Sequence, residues 1–181
     1  MKDSVSSLLP HYLNNMEDIN SSITEGLFLA NKSIKMNDLA RYFSIESGIP
    51  TLYFSLSASA VTTVREMLSR YTGLDSNKTE LSCQKTELFA CAIEAMEKAP
   101  LYIDDSTGNL PLDAFQSKVD DCIRAYGIKV IIIDDLDTYL LGSNVCKEEI
   151  LAQLVATSQT KKVKIIASLY DCKTSSKDGT E

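Results

Sequence analysis

Short apolar runs alternate with longer amphipathic stretches from residue 27 onward. Five of the runs have the length and the branched side chains of β-strands: Leu27–Ala30, Thr51–Leu56, Leu101–Ile103, Val130–Ile133 and Val163–Ala167. The run at 130–133 has no alternating polar residues, which is typical of a parallel strand covered on both faces. These five segments are therefore predicted to be strands.

The stretches between the strands carry apolar side chains at helical spacing. Helices are predicted around Leu39–Phe43, Val61–Tyr71, Leu88–Met96, Leu112–Tyr126 and Ile150–Val155, with Pro111 in the first turn of the fourth. A repeated alternation of strand and helix implies right-handed crossovers and a parallel sheet. The predicted fold class is α/β, with a mainly parallel sheet of about five strands and helices on both faces.

The same pattern divides the chain into three parts. Residues 1–25 are polar and mixed, and they are predicted to be a lead-in with at most one short helix. Residues 26–170 form the one predicted folded domain, which contains no internal repeat. Residues 171–181 contain mainly Lys, Ser, Asp and Gly and are predicted to be a flexible tail.

Composition narrows the possible functions. Among 181 residues, 18 Lys and Arg stand against 25 Asp and Glu, which gives a net charge of −7. Such a surface repels phosphate backbones, so DNA binding by this chain alone should be weak or absent. No apolar run is long enough to span a membrane, no signal peptide is evident, and the five scattered cysteines form no C-x-x-C pair. A cytoplasmic location in a reducing environment is expected.

Carboxylates follow two of the predicted strands. Asp134 and Asp135 end the fourth strand, and Asp104 and Asp105 end the third. Binding and catalytic sites in parallel α/β proteins lie just beyond the carboxyl ends of the strands. Carboxylate oxygens at that position would be suitable ligands for Mg²⁺. Asp134, Asp104 and Asp105 are therefore a possible metal site. The alternative is that acidic residues after a strand cap the next helix or make a turn, and both interpretations stay open here.

Two blocks of sequence resemble a known family. Residues 100–141, PLYIDDSTGNLPLDAFQSKVDDCIRAYGIKVIIIDDLDTYLL, resemble the ATPase domain of DnaB-type bacterial replicative helicases. That family carries a YIDDSSG turn, a proline-led helix and an apolar strand ending in the Walker B aspartate. Residues 52–75, LYFSLSASAVTTVREMLSRYTGLD, resemble its FSLEM segment and the helix that follows. The resemblance covers roughly residues 26–170 and implies a RecA-like P-loop NTPase fold and a link to DNA replication.

The chain departs from the family at the phosphate-binding loop. Family members carry a segment like A-R-P-S-M-G-K-T after the first strand, where residues 30–37 here read A-N-K-S-I-K-M-N. The resemblance places Lys35 at the glycine, Met36 at the lysine that reaches the phosphates, and Asn37 at the hydroxyl that holds Mg²⁺. Such loops need glycine because backbone N–H groups surround phosphate only where no Cβ intrudes. The resemblance thus implies a vestigial nucleotide site whose members are Ser33, Lys35, Met36, Asn37 and Asp134, the last at the Walker B position.

The catalytic residue implied by the resemblance is also missing. The glutamate of FSLEM is Ser57 here, and serine cannot serve as the base that polarises water, so no catalytic residue is expected. Ser168 begins the segment that corresponds to the S-Q-L-N-like sensor of the family. Residues 141–145, after the Walker B strand, are predicted to be a short uncharged loop unsuited to gripping DNA.

The resulting prediction is a non-catalytic RecA-like domain that works through protein contacts. It would need no cofactor, and its partner would be another copy of itself or another protein, possibly a replicative helicase. One alternative is an ATP-dependent DNA helicase subunit whose loop uses Lys32 or Lys35, which would require ATP and Mg²⁺. Another is a sensor that binds nucleotide without hydrolysing it.

Overall fold

The structure, a computed structural model, describes residues 11–13, 25–31, 34–74, 83–106, 111–142 and 145–169. This part of the chain contains one sheet of six parallel strands in the order β1-β2-β6-β5-β3-β4. The strands are β1 His11–Leu13, β2 Gly26–Ala30, β3 Thr51–Ser55, β4 Leu101–Asp104, β5 Val130–Asp134 and β6 Lys164–Ser168. The predicted α/β fold is confirmed, and the five predicted strands correspond to β2 through β6.

Strand β1 corrects the prediction for residues 1–25. It lies at an edge of the sheet within the segment interpreted as a lead-in, and it pairs with β2 so that His11 is opposite Phe28. Three residues are too few to show a period in the sequence, so the pairing could not be anticipated. The remainder of that lead-in and the predicted tail at 171–181 fall outside the described residues.

Six α-helices connect or flank the described strands. They are α1 Met36–Arg41, α2 Ala60–Thr72, α3 Cys83–Lys98, α4 Leu112–Tyr126, α5 Leu136–Gly142 and α6 Lys147–Lys161. Helix α1 continues into one π-helical turn, Tyr42–Glu46, and Pro111 is the cap residue just before α4 rather than a member of its first turn. Helix α5 lies outside the predicted helices, and it includes residues 141 and 142, so the first two residues of the loop predicted at 141–145 are helical instead.

The sheet separates two hydrophobic clusters. Ile131 and Ile133 of β5 face the cluster that includes α4, α5 and α6. Val130 and Ile132 face the opposite cluster, which includes α1 and α2. All four side chains are buried, so β5 is covered on both faces, as its unbroken apolar run predicted.

The register of the sheet brings the carboxyl ends of its central strands together. Asp134, the last residue of β5, lies opposite Ser55 of β3. Ser168, the last residue of β6, lies opposite Ala30 of β2. The residues that follow these strands therefore meet at one edge, beside the first turn of α1.

Candidate functional site

A cleft of about 610 Å³ opens at this edge of the sheet. Its walls come from the start of α1, the connection from β3 to α2, the outer face of α2, and the ends of β5 and β6. The lining residues are Ile34, Lys35, Met36, Asn37, Ser57, Thr62, Arg65, Glu66, Ser69, Arg70, Asp134, Asp135 and Ser168. The cleft therefore contains the residues that the sequence assigned to a vestigial nucleotide site, except Ser33, which lies outside the described residues.

One backbone hydrogen bond precedes α1, and the residue just before the helix is extended. The backbone N–H of Ile34 donates to the carbonyl of Asn31 over 3.1 Å, and Lys35 caps the helix with φ −86° and ψ 119°. Lys35 makes no side-chain cap hydrogen bond, and its side chain is exposed. Met36 is only 4% exposed and belongs to the hydrophobic cluster beneath the cleft. The side chain of Lys35 therefore lies in solvent, whereas that of the next residue, Met36, lies in the core.

Tyr53 joins α1 to the end of β5 through its hydroxyl. The hydroxyl oxygen lies 2.8 Å from Oδ1 of Asn37 and 2.7 Å from Oδ2 of Asp134. The amide nitrogen of Asn37 donates to Oε2 of Glu66 on α2 over 3.2 Å, which turns its Oδ1 toward Tyr53. One buried tyrosine thus links three elements of the cleft, and Asn37 extends the link to a fourth.

The protonation of this network follows from its geometry. A phenolic hydroxyl has one proton, but here it faces two acceptor oxygens. Burial raises the pKa of Tyr53, and the charge of Asp134 raises it further, so the phenol keeps its proton. Burial also raises the pKa of the Asp134 carboxyl, although the hydrogen bond from Tyr53 opposes that shift. Asp134 therefore accepts a proton more readily than an ordinary aspartate.

Asp135 has a structural role next to the cleft. Its backbone is left-handed, with φ 65°, a conformation that aspartate tolerates better than most residues. The Asp135 N–H donates to Oγ of Ser168 over 2.7 Å, which ties the end of β5 to β6. The carboxylate accepts from the N–H and the hydroxyl of Thr138, at 3.2 and 2.7 Å, and so caps α5. For Asp135 the helix-capping interpretation is the one the structure supports.

Asp104 and Asp105 lie away from the lining of the cleft. Oδ2 of Asp104 accepts from Lys118 over 2.6 Å and Oδ1 from the N–H of Ser106 over 2.9 Å. Burial by itself would raise the pKa of Asp104, but these hydrogen bonds outweigh it, and the pKa lies below its ordinary value. Asp105 accepts from the N–H of Ala60, the first residue of α2, over 3.0 Å.

The structure does not bring these two carboxylates together with Asp134 in a metal site. Among the described residues there is no group of three or more His, Cys, Asp or Glu side chains arranged to hold a metal ion. Asp104 is instead in an ion pair with Lys118, and its contact with the N–H of Ser106, two residues on, is of the turn type that the alternative interpretation proposed. Asp105 contacts the first N–H of α2, which precedes it in the chain, so it does not cap the next helix.

Sequence reasoning did not single out Tyr53 or the polar face of α2. Arg65 is exposed and makes no ion pair with any described residue, whereas Arg70 forms a bidentate ion pair with Asp38 of α1. That pairing lowers the pKa of Asp38. The spacing of Thr62, Glu66 and Arg70, four residues apart, was a detectable signal that one face of α2 is polar.

Comparison with known proteins settles the relationship of the chain. A family model described as the DnaB-like helicase C terminal domain matches residues 30–172. The chain belongs to this family. The resemblance that the sequence showed over roughly 26–170 is confirmed by this match. No curated protein matches the chain.

Solved structures show the same fold for this DnaB-like domain. One neighbour, described as an ATPase domain, superposes with a TM-score of 0.65 at 14% identity, covering 80% of this chain and 56% of that one. A DnaB-like replicative helicase, solved to show its interactions with primase, superposes with a TM-score of 0.62 at 13% identity. That match covers 81% of this chain and 38% of the helicase chain, so the DnaB-like domain spans well under two thirds of both neighbours. Within the described ranges, every helix is too short or too polar to cross a membrane.

Proposed function

We propose that this DnaB-like domain is non-catalytic and acts as a protein-interaction or assembly module linked to DNA replication. The observation that carries the proposal is the environment of Met36. At the position where the family has the lysine that reaches the phosphates, the side chain is apolar, 4% exposed and part of the core. A long cation at this point is what gives such loops their grip on the β- and γ-phosphates.

The other groups of the cleft support the same proposal. Lys35 carries a Cβ where the family has glycine, and Oδ1 of Asn37 already faces the hydroxyl oxygen of Tyr53 at 2.8 Å. Three cations, Lys35, Arg65 and Arg70, face the cleft together with three carboxylates, Glu66, Asp134 and Asp135. Their formal charges cancel, so the lining of the cleft has no excess of positive charge to attract a triphosphate.

The cleft also lacks the side chains that ATP hydrolysis would require. Phosphoryl transfer depends on positioning and on stabilisation of charge, and removing one preorganised donor typically costs about 10²–10³-fold in rate. Ser57 lies exposed in the cleft where the family has its glutamate, and a serine hydroxyl does not polarise water as a carboxylate does. Losing several groups together leaves no useful turnover, even though such effects are not additive.

Nucleotide binding is tested by isothermal titration of the whole chain with MgATP and with a slowly hydrolysed analogue. We expect no binding heat with either nucleotide. Micromolar binding that is lost in Asp134→Ala would contradict the proposal, because it would show a working site at the end of β5.

Assembly is tested by light scattering over a range of protein concentrations and by co-sedimentation with a DnaB-type replicative helicase. We expect either self-association or a complex with the helicase. The neighbour solved with its primase interactions supports protein contacts by such domains in general. A chain that stays monomeric and does not co-sediment with the helicase would count against an assembly role.

A second candidate is an ATP-binding or ATP-dependent helicase subunit with an unorthodox phosphate loop. It is favoured by the cleft, whose volume of about 610 Å³ suits a small-molecule ligand, and by Lys35 and Arg65, which make no ion pair with described residues. It predicts ATP hydrolysis that requires Mg²⁺ and rises with single-stranded DNA.

The net charge of −7 argues for weak DNA binding without a partner. We place the protein in the cytoplasm, in keeping with free thiols at Cys91, Cys122 and Cys146.

A further inference from the structure

We propose that Tyr53 is a latch that holds the first turn of α1 against the end of β5 in the absence of any nucleotide. The inference deepens the proposed function and rests on it, because a domain that works without nucleotide must fix this turn in another way. The latch consists of the Tyr53 hydroxyl with Oδ1 of Asn37 at 2.8 Å and Oδ2 of Asp134 at 2.7 Å.

The register of the sheet aims Tyr53 at both partners. Tyr53 lies opposite Ile132 on the neighbouring strand, and both side chains belong to the cluster beneath α1. Asp134 is two residues beyond Ile132, and residues two apart point to the same face of a strand. A long side chain at position 53 therefore reaches along this face to Asp134, with α1 packed above it.

Asn37 is held from the opposite side as well. Its amide nitrogen donates to Glu66 of α2, and the next residue, Asp38, forms a bidentate ion pair with Arg70 of the same helix. Helix α2 thus fixes the outer side of the first turn of α1, and Tyr53 fixes the side that faces the sheet. The Asn37 amide can satisfy both neighbours only in the one orientation observed.

Helix α1 depends on such external contacts. It has six residues, and an isolated helix of this length is not stable in water. Its cap residue, Lys35, offers no side-chain hydrogen bond to the first turn. Contacts to Asn37 therefore act together with the buried side chains of Met36, Leu39 and Ala40 to keep this wall of the cleft ordered before any partner arrives. An ordered wall avoids the entropy cost of ordering on binding.

Tyr53→Phe removes the hydroxyl and keeps the ring. Hydrogen exchange of the whole chain, followed by mass spectrometry, should show amides at 36–41 exchanging about 2- to 10-fold faster, the loss expected for one hydrogen bond. Amides of β5 at 131–133 should stay as protected as in the wild type. Tyr139→Phe is the matched control, since it removes a hydroxyl from another buried tyrosine, on α5, and should leave residues 36–41 unchanged.

Asn37→Ala provides a second test that does not depend on a change in the core. It removes the contact to Tyr53 and the contact to Glu66, so it should raise the exchange of amides 38–41 at least as much as Tyr53→Phe does. In the double variant the increase should be smaller than the product of the two single increases, because the contact between Tyr53 and Asn37 is lost in both single variants. Unchanged exchange at 36–41 in Tyr53→Phe, or effects that simply multiply, would overturn the latch.

The latch and the proposed function fail in different measurements. If α1 exchanges as expected but the wild type binds MgATP, the non-catalytic function is wrong and the latch stands. If the wild type ignores nucleotide and Tyr53→Phe exchanges like the wild type, the latch is wrong and the proposed function stands.

Discussion

Asp134→Asn should stabilise this domain at neutral pH. In the wild type, the single proton of the Tyr53 hydroxyl faces two acceptors, Asn37 and Asp134. The introduced amide can donate to the Tyr53 oxygen, which leaves the hydroxyl proton entirely to Asn37. The substitution also removes a charge whose burial is unfavourable, as the raised pKa of Asp134 shows.

The expected size of the effect is that of one hydrogen bond gained. Such a bond contributes about 0.5–1.5 kcal/mol to the free energy of unfolding. For a domain of this length, about 1 kcal/mol corresponds to a rise in Tm of about 2–4 °C.

The pH dependence provides a sharper check on the same substitution. Because burial raises the pKa of Asp134 above its ordinary value of 3.8, the folded state binds more protons than the unfolded state between 3.8 and the raised value. The wild type therefore loses stability through this residue as the pH rises across that window. The advantage of Asp134→Asn should be small near pH 4 and complete well above the raised pKa.

Urea denaturation followed by circular dichroism at pH 4.5 and pH 7.5 measures both effects. Asp121→Asn is the control, because it removes an equal charge from an exposed ion pair with Arg124. The reasoning would be refuted if Asp134→Asn lowered stability at pH 7.5, or if its effect were the same at both pH values.

Three further predictions concern the core, the missing base and an ion pair. Ile132→Ala should cost about 2–5 kcal/mol in urea unfolding because Ile132 is fully buried, while Val61→Ala, 62% exposed, should stay within about 0.5 kcal/mol, and similar costs would contradict the assignment of the core. Ser57→Glu should leave the release of phosphate from ATP at background, because the loop at 30–37 still lacks the residues that bind a triphosphate. Measurable ATP turnover by this variant would contradict the prediction. Lys118→Met should cost about 0.5–1 kcal/mol at pH 7. That cost should vanish as the pH falls through the lowered pKa of Asp104, and a cost independent of pH would disprove the role of this pair.

The strands at the centre of the sheet could be predicted because a buried strand appears in the sequence as a run of consecutive apolar residues. Strand β5 is covered on both faces, so every one of its positions from 130 to 133 is apolar, and the run stands out from the amphipathic stretches around it. Strand β1 has three residues and α5 has seven, which is too short for either period to appear, so both became known only from the structure. The family relationship could also be predicted, since it depends on long blocks of sequence.

Part of the candidate site follows from local sequence as well. Counting residues after the first strand placed Lys35, Met36 and Asn37 at the phosphate loop, and the abrupt end of an apolar run marked Asp134. All four line the cleft of the structure. Chain distance was sufficient here because a loop directly after a strand must begin at the carboxyl edge of the sheet.

The partners of these residues were decided by the tertiary structure alone. Tyr53 is an ordinary strand residue by sequence, and it meets Asn37 and Asp134 only because β3 pairs with β5 in one register. The carboxylates at 104 and 105 look alike in the chain, yet one meets Lys118 of α4 and the other the first N–H of α2. Periodicity records which face of an element is buried, whereas a hydrogen bond between elements depends on the relative placement of residues far apart in the chain, and no local pattern specifies that placement.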